Sequence, residues 1–231
     1  MNTQFFLKSL FFGVFISLAG YELGLWLKKK TGLAILNPLL ISIVFVIGTL
    51  LLFHIDYGAY ESGGRYLSYL LTPSTICLAI PLYKQLHLLK QYGLAIGAAV
   101  FAGTAASLIG ILLLAMLFRL DHTMYVTLLP KSITTAIGMG VSEELGGITN
   151  ITVAVIVITG VFGNVIGEWI LRLFHVKDRI AKGLALGTAA HAIGTSKAIE
   201  MGEIEGAMSS LAIVTAGLLT VIGAGIFSAV Y

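Results

Sequence analysis

Two stretches of this chain, Gly93–Phe118 and Gly206–Tyr231, contain no charged side chain from end to end. A helix that crosses a bilayer needs roughly 20 mostly apolar residues, and each stretch supplies more than that. Phe5–Leu27, Leu33–Phe53 and Ile148–Leu171 have similar length and character. Tyr66–Tyr83 is uncharged but shorter, and Pro73 and Pro81 interrupt it, so it is expected as a broken sixth element. Composition agrees, since 11% of the 231 residues are charged against about 25% in a soluble domain. The expected fold is an all-α polytopic membrane protein, one domain over residues 1–231.

The N-terminus has some features of a signal peptide: Lys8, an apolar run, then Ala19 and Gly20. The run is long, however, and Lys28, Lys29 and Lys30 follow it, whereas a signal peptide carries its positive charge before the core. An uncleaved first helix with its N-terminus outside is expected. The net charge of +3 calls for no nucleic-acid partner, because the basic residues gather at the ends of apolar runs. Cys77 is the one cysteine, which allows no internal disulfide and reads as packing.

Two segments resist assignment as plain spans. Thr123–Gly147 holds Pro130 and Lys131 in its middle, and Lys182–Glu205 is dense in Gly, Ala, Ser and Thr around His191. Charge asymmetry decides between crossing and returning. With Lys28–Lys30 inside, Asp56 and Glu61 fall outside, Lys84 and Lys90 inside, and Asp121 outside. If Thr123–Gly147 crossed, the cluster Arg172, Lys177, Arg179 and Lys182 would land outside, against the positive-inside rule. It is therefore expected to dip in from outside and return, and Lys182–Glu205 to dip in from inside. The whole then has about six spanning helices and two re-entrant or broken helical hairpins.

A repeat supports pairing the two hairpins. Thr135-Ala136-Ile137-Gly138 matches His191-Ala192-Ile193-Gly194, and Gly160 and Val165-Ile166-Gly167 match Gly217 and Val221-Ile222-Gly223. The units are residues 123–175 and 180–231, with a fainter copy over 66–118. Hairpin plus helix, repeated with opposite entry sides, is the inverted-repeat plan by which transporters place a site at the midplane.

Among residues able to carry chemistry, His54, His87, His122 and His175 fall at segment ends and read as interfacial. His191 sits centrally in its segment and has two readings: a packing histidine bonded to a backbone carbonyl, or a substrate or proton-coupling group. Lys131 also has two. It can snorkel to the interface, or meet an anion at a Pro-broken turn where Ser132, Thr134 and Thr135 offer hydroxyls and helix-start N–H groups. A lysine at mid-bilayer costs about 2.5–3.5 kcal/mol by insertion scales. Gly194-Thr195-Ser196-Lys197 has the same character. Glu168 is expected to pair with Arg172, four residues on. Asn37-Pro38 opens the second helix, and a buried Asn37 there needs partners. No metal-binding His pair, nucleophile elbow or phosphate loop occurs, so neither an enzyme nor a cofactor is indicated.

These residues carry a family likeness. Leu36-Asn37-Pro38-Leu39-Leu40, Pro81-Leu82-Tyr83-Lys84-Gln85, Leu129-Pro130-Lys131-Ser132-Ile133-Thr134-Thr135, Gly187-Thr188-Ala189-Ala190-His191-Ala192-Ile193-Gly194-Thr195 and Glu205–Ala212 resemble the LrgB/CidB family. The likeness runs from about Asn37 to Ala212. One departure is Ala136-Ile137-Gly138, where the family often has Pro-Ile-Ala.

The resemblance implies a multi-pass protein of the bacterial inner membrane, working with a separate small LrgA/CidA-type membrane partner. It implies one of two roles. The first is a secondary carrier of small monocarboxylates such as glycolate, glycerate or pyruvate, coupled to a proton or sodium and working as a homo-oligomer. Lys131, Ser132 and Thr134 would then bind the carboxylate, His191 and Thr195 would bind the hydroxyl or oxo group or relay a proton, and Thr135, Gly194 and Asn37 would complete the site. The second is a holin- or antiholin-like regulator of murein hydrolase activity and membrane permeability.

Overall fold

The computed structural model describes residues 11–32, 36–77 and 79–231. Among the described residues every regular element is a helix, and the chain forms two compact units, one ending at Cys77 and one starting at residue 78. Four helices, Phe11–Thr31, Leu86–Phe118, Thr149–Leu173 and Glu203–Ser228, are long and apolar enough to cross a membrane.

The N-terminal unit holds α1 (Phe11–Thr31), α2 (Pro38–Leu52), α3 (Tyr57–Ser68) and α4 (Leu71–Cys77). Glycines let α1 approach its neighbours closely: a methyl on Gly13 would lie 2.2 Å from Tyr60 O, and one on Gly24 2.6 Å from Pro38 Cα. Ser17 Oγ lies 3.0 Å from the Tyr60 hydroxyl, and Ser42 donates to Ser17 O at 3.1 Å. The helix expected over Leu33–Phe53 is shorter than that range, at 15 residues. Asn37 explains its start. The Asn37 Oδ1 accepts the N–H of Leu39 at 2.8 Å and of Leu40 at 3.4 Å, and Pro38 fills the first turn, so the helix cannot extend backwards. Residues 33–35 lie outside the described residues, as does the Phe5–Leu10 part of the first expected span.

The C-terminal unit contains α5 (Ala79–Lys84), α6 (Leu86–Phe118), α7 (His122–Leu128), α8 (Thr135–Glu144), α9 (Thr149–Leu173), α10 (Arg179–Met201) and α11 (Glu203–Ser228). The expected broken element Tyr66–Tyr83 is indeed in short pieces: the end of α3, then α4 and α5.

The first hairpin is α7–α8. A methyl on Gly138 would stand 3.4 Å from Pro130 O, eight residues back, whereas a straight helix separates such residues by about 12 Å. The chain must therefore double back between them. Its legs are tied to α9 by three fully buried hydroxyls, with Thr152 Oγ1 lying 3.0 Å from Thr127 O and 2.7 Å from Ser142 Oγ. Ile148 N donates to Thr127 Oγ1 at 2.8 Å. The irregular stretch between the legs, residues 129–134, is the tip.

The second hairpin lies within α10. The helix breaks at Ala190 (φ −133°) and His191 (φ 41°, ψ −138°). Gly194 repeats the geometry of Gly138: a methyl there would stand 2.5 Å from Leu186 O, again eight residues back. Both legs run along α11. Going up, Gly183 sits against Glu205 O and Gly187 against Ser209 O; coming down, Thr195 Oγ1 lies 2.7 Å from Ser209 Oγ, and Ile199 packs on Gly206. The hairpin thus leaves and returns at the N-terminal end of α11, with its tip near the middle of that helix. Small residues on the inward side of α11, including Ala212, Ala216 and Ala224, permit this closeness. Its outward stripe of Val214, Leu218, Ile222 and Ile226 is more than half exposed, as a lipid-facing surface would be.

Polar contacts sort the two ends of the unit. At one end lie Lys84–Glu203 (3.5 Å), Arg179–Glu205 (3.0 Å), Lys197–Glu168 (2.8 Å) and the Arg172–Glu168 pair. At the other, the Tyr231 hydroxyl donates to Leu120 O at 2.7 Å and the Tyr125 hydroxyl to Phe227 O at 3.0 Å. The α7–α8 hairpin starts from the tyrosine end and the α10 hairpin from the ion-pair end. This agrees with the entry sides read from charge.

Candidate functional site

The hairpin tips approach each other beside α6, and Lys131 stands between them. Pro130 has no N–H to extend α7, so Lys131 and Ser132 lie in the irregular tip rather than on a helix. Lys131 Nζ donates to Ser132 Oγ at 2.8 Å and to Ser107 Oγ of α6 at 3.3 Å, and the two serine oxygens are 3.2 Å apart. Among the described residues no carboxylate pairs with this ammonium.

Lys131 lines two cavities on either side of the first α10 leg. One, of about 480 Å³, is bounded by Ala99, Gly103 and Ser107 of α6, by Lys131 and Ser132, and by the leg at Ala185, Thr188 and Ala189. The α6 residues recur every fourth position and so share one face. A neighbouring space of about 340 Å³ shares Ala99, Ala181 and Leu184 with it and reaches Tyr92 and Asp178. The two spaces adjoin along α6 and α10, one at Lys131 and the other nearer the ion-pair end. The second cavity, about 470 Å³, lies towards α9 and is more apolar, with Ile158, Phe162 and Ile166.

His191 is placed differently. It is 3% exposed, and its Nε2 donates to Ile156 O of α9 at 3.0 Å, which fixes the proton on that nitrogen. A methyl on Gly160 would lie 2.7 Å from His191 Cε1, so the ring fills the space the glycine leaves. It lines neither Lys131 cavity. Beyond the break, Thr195 Oγ1 donates to His191 O at 3.0 Å, and Asn164 Nδ2 ties the start of the second leg to α9, donating to Ile193 O at 2.7 Å and Ser196 Oγ at 3.0 Å.

Of the other expected residues, Ser132 joins Lys131. Thr134 and Thr135 cap and begin α8, partly buried and outside both cavities. Gly194 and Thr195 are buried in the second hairpin against its first leg and α11. Asn37 belongs to the N-terminal unit as the cap of α2. Ser107, Thr188 and Asn164 join the site or its frame although the sequence did not single them out. A serine, threonine or asparagine in a span carries no charge and breaks no pattern.

At the hairpin base, Arg179 makes a two-pronged contact with Glu205, whose side chain is 6% exposed. Hydrogen bonds from the guanidinium to that carboxylate, then their charge attraction, raise the Arg179 pKa above its ordinary value. Glu168 holds both Arg172 and Lys197, so the expected i,i+4 pair is present within a larger cluster.

The fold and site define a polytopic helical membrane protein with two broken-helix hairpins closing on a polar centre. The chain matches the LrgB-like family over residues 17–230 and belongs to it. It is 40% identical over 218 residues to an antiholin-like protein LrgB of Bacillus subtilis (strain 168), covering 94% of each chain. It is likewise 40% identical over 213 residues to proteins of that name from Bacillus cereus (strain B4264) and Bacillus anthracis (strain CDC 684 / NRRL 3495), covering 92% of this chain and 93% of theirs. No solved structure matches. With its spans, this family membership makes it a multi-pass bacterial membrane protein.

Proposed function

We propose that the C-terminal unit is a secondary carrier of small monocarboxylates of the glycolate, glycerate or pyruvate type, with its anion site at Lys131. One observation carries the reading: an ammonium at the meeting of two hairpin tips, bonded to two serine hydroxyls and lining a cavity of about 480 Å³. Ionisable groups at membrane depth mark pathways and sites, and a cavity of this size suits a small molecule. A single cation without an acidic partner suits a single carboxylate. Ser132 and Ser107 would share the carboxylate with Lys131, while His191, Thr195 and Gly194 would hold the second tip in place. Opposed hairpins repeating between Thr135 and His191 support alternating access about that point.

The names of the relatives favour a second reading, an antiholin-like regulator. In that role the chain would act on murein hydrolase activity and membrane permeability. Either role suits a separate small LrgA/CidA-type partner and assembly of several copies in the bilayer, and the carrier would couple to a proton or sodium. Uptake of labelled glycolate and pyruvate by proteoliposomes holding this chain separates the two. The carrier reading expects uptake above empty vesicles that Lys131→Ala abolishes while the variant still inserts and runs as a single species. Absence of uptake by the unaltered protein would leave the regulator reading standing.

A further inference from the structure

The second cavity beside Lys131 has a chemistry that a small acid leaves unused. On α9, Ile158, Phe162, Ile166 and Ile170 recur every fourth position and line it together. The next row, Gly163 and Gly167, brings α9 against the first leg of α10. A methyl on Gly163 would stand 2.4 Å from Ala190 Cβ, and one on Gly167 2.6 Å from Leu186 Cδ2. Beside that contact the leg presents the small Ala185 and Ala189. Large side chains on one wall thus face methyl groups on the other, and a groove of about 470 Å³ stays between them.

Ile158 and Phe162 are 65% and 61% exposed, so the groove opens on a side that lipid tails would reach. Lys131 is its one charged lining residue among the described residues, and Thr159 the one hydroxyl. Lys131, Ala185 and Ala189 also line the cavity of Ser107 and Ser132, so the two spaces meet at the lysine and two small side chains. A single ammonium beside an apolar groove complements an amphiphile with one negative charge.

We infer that this groove is an acyl-chain site, in which a medium-chain fatty acid binds with its carboxylate at Lys131 and its tail between α9 and the first α10 leg. This rests on the carrier reading above in taking Lys131 as the anion group, and it widens the ligand class to acids that partition into the bilayer. Small acid and fatty acid then exclude each other, because both claim the same ammonium. Each methylene that leaves water for the groove gains about fourfold in affinity.

The test is displacement of labelled pyruvate from the full chain in nanodiscs by acetate, octanoate and 1-octanol. It is run on the unaltered protein, Thr159→Phe, Ile166→Trp and Leu218→Trp. Octanoate should displace pyruvate at free concentrations roughly 50-fold below acetate, as about three buried methylenes would give. The alcohol, with the same tail and no charge, should displace little. Thr159→Phe and Ile166→Trp fill the groove from α9, and either should bring octanoate to within about fourfold of acetate, one methylene's worth, with pyruvate affinity unchanged. Leu218→Trp, on the outward stripe of α11, should keep the full octanoate advantage. Octanoate no stronger than acetate, displacement by 1-octanol at the same concentration as octanoate, an advantage that survives both groove-filling variants, or its equal loss in Leu218→Trp would overturn the inference. Failure of the unaltered protein to bind pyruvate at all would instead remove the carrier reading, and the inference with it.

Discussion

Ile193 Cδ1 lies 2.8 Å from where a methyl on Gly160 would be, and Ile137 Cδ1 lies 3.3 Å from the corresponding point at Gly217. The two contacts exchange partners. Ile137 and Ile193 are equivalent in the repeat, as are Gly160 and Gly217, so each hairpin seats its isoleucine on the helix of the other unit. Contacts within each unit match as well: Gly138 meets Pro130 as Gly194 meets Leu186, and Ile148 meets Thr127 as Glu205 meets Gly183. Reciprocal contacts of this kind are what a pseudo-two-fold axis between inverted repeats would generate. On this account, each hairpin can move off the other unit's helix only by leaving its own glycine seat.

The glycine seats should be intolerant in proportion to their crowding. Gly160→Ala forces a methyl into the His191 ring and Ile193, and is expected to destabilise by about 1–3 kcal/mol through overpacking. Gly217→Ala, with its looser contact, should cost less. Gly97→Ala on α6 meets nothing within 4 Å and should be neutral or stabilising by roughly 0.5–1 kcal/mol. Thermal unfolding of the three variants in detergent would show whether that order holds.

The second tip is held by polar groups of α9. Asn164→Leu removes the donor that ties Ile193 O and Ser196 Oγ to α9, and His191→Leu removes the donor to Ile156 O. Each should lower stability by about 1–3 kcal/mol. Anion affinity of the folded His191→Leu protein should stay within about threefold of the unaltered chain, because the ring lines neither cavity. A much larger loss of affinity at unchanged stability would mean that His191 touches the ligand.

Hairpin entry sides can be read by thiol labelling on a Cys77→Ser background, since Cys77 is the one cysteine. Thr123→Cys and Glu144→Cys, at the two ends of the α7–α8 hairpin, should react with an impermeant maleimide from the same face. Lys177→Cys and Glu200→Cys should react only from the opposite face. Labelling of Thr123→Cys and Glu144→Cys from different faces would show that this segment crosses.

The hairpins were legible because charge and proline are loud in lipid. Pro130-Lys131 and the basic cluster after Leu171 leave few topologies that obey the positive-inside rule. The polar residues around His191 mark the segment that holds the second break, but nothing in Ala190-His191 announces a residue at φ 41°. Glycine usually takes that conformation, and here the bond from His191 to Ile156 O and the space over Gly160 hold a histidine in it. Lys131 stands out in the sequence as a charge beside a proline within an apolar segment, whereas Ser107 and Thr188, which line the same cavity, do not stand out. Serine and threonine recur throughout these helices with their hydroxyls returned to the backbone, and only packing reveals which ones are left free. The short α2 has a local cause, since Asn37 marks where a span begins more sharply than hydropathy does.

The central claim is that Lys131 holds one carboxylate between the hairpin tips. Saturation binding of labelled pyruvate to the full chain in nanodiscs, compared between the unaltered protein and Lys131→Met, tests it most directly. The account predicts one displaceable site per chain in the unaltered protein and none in Lys131→Met, with equal thermal stability or better in the variant. Equal pyruvate binding by both proteins would contradict it.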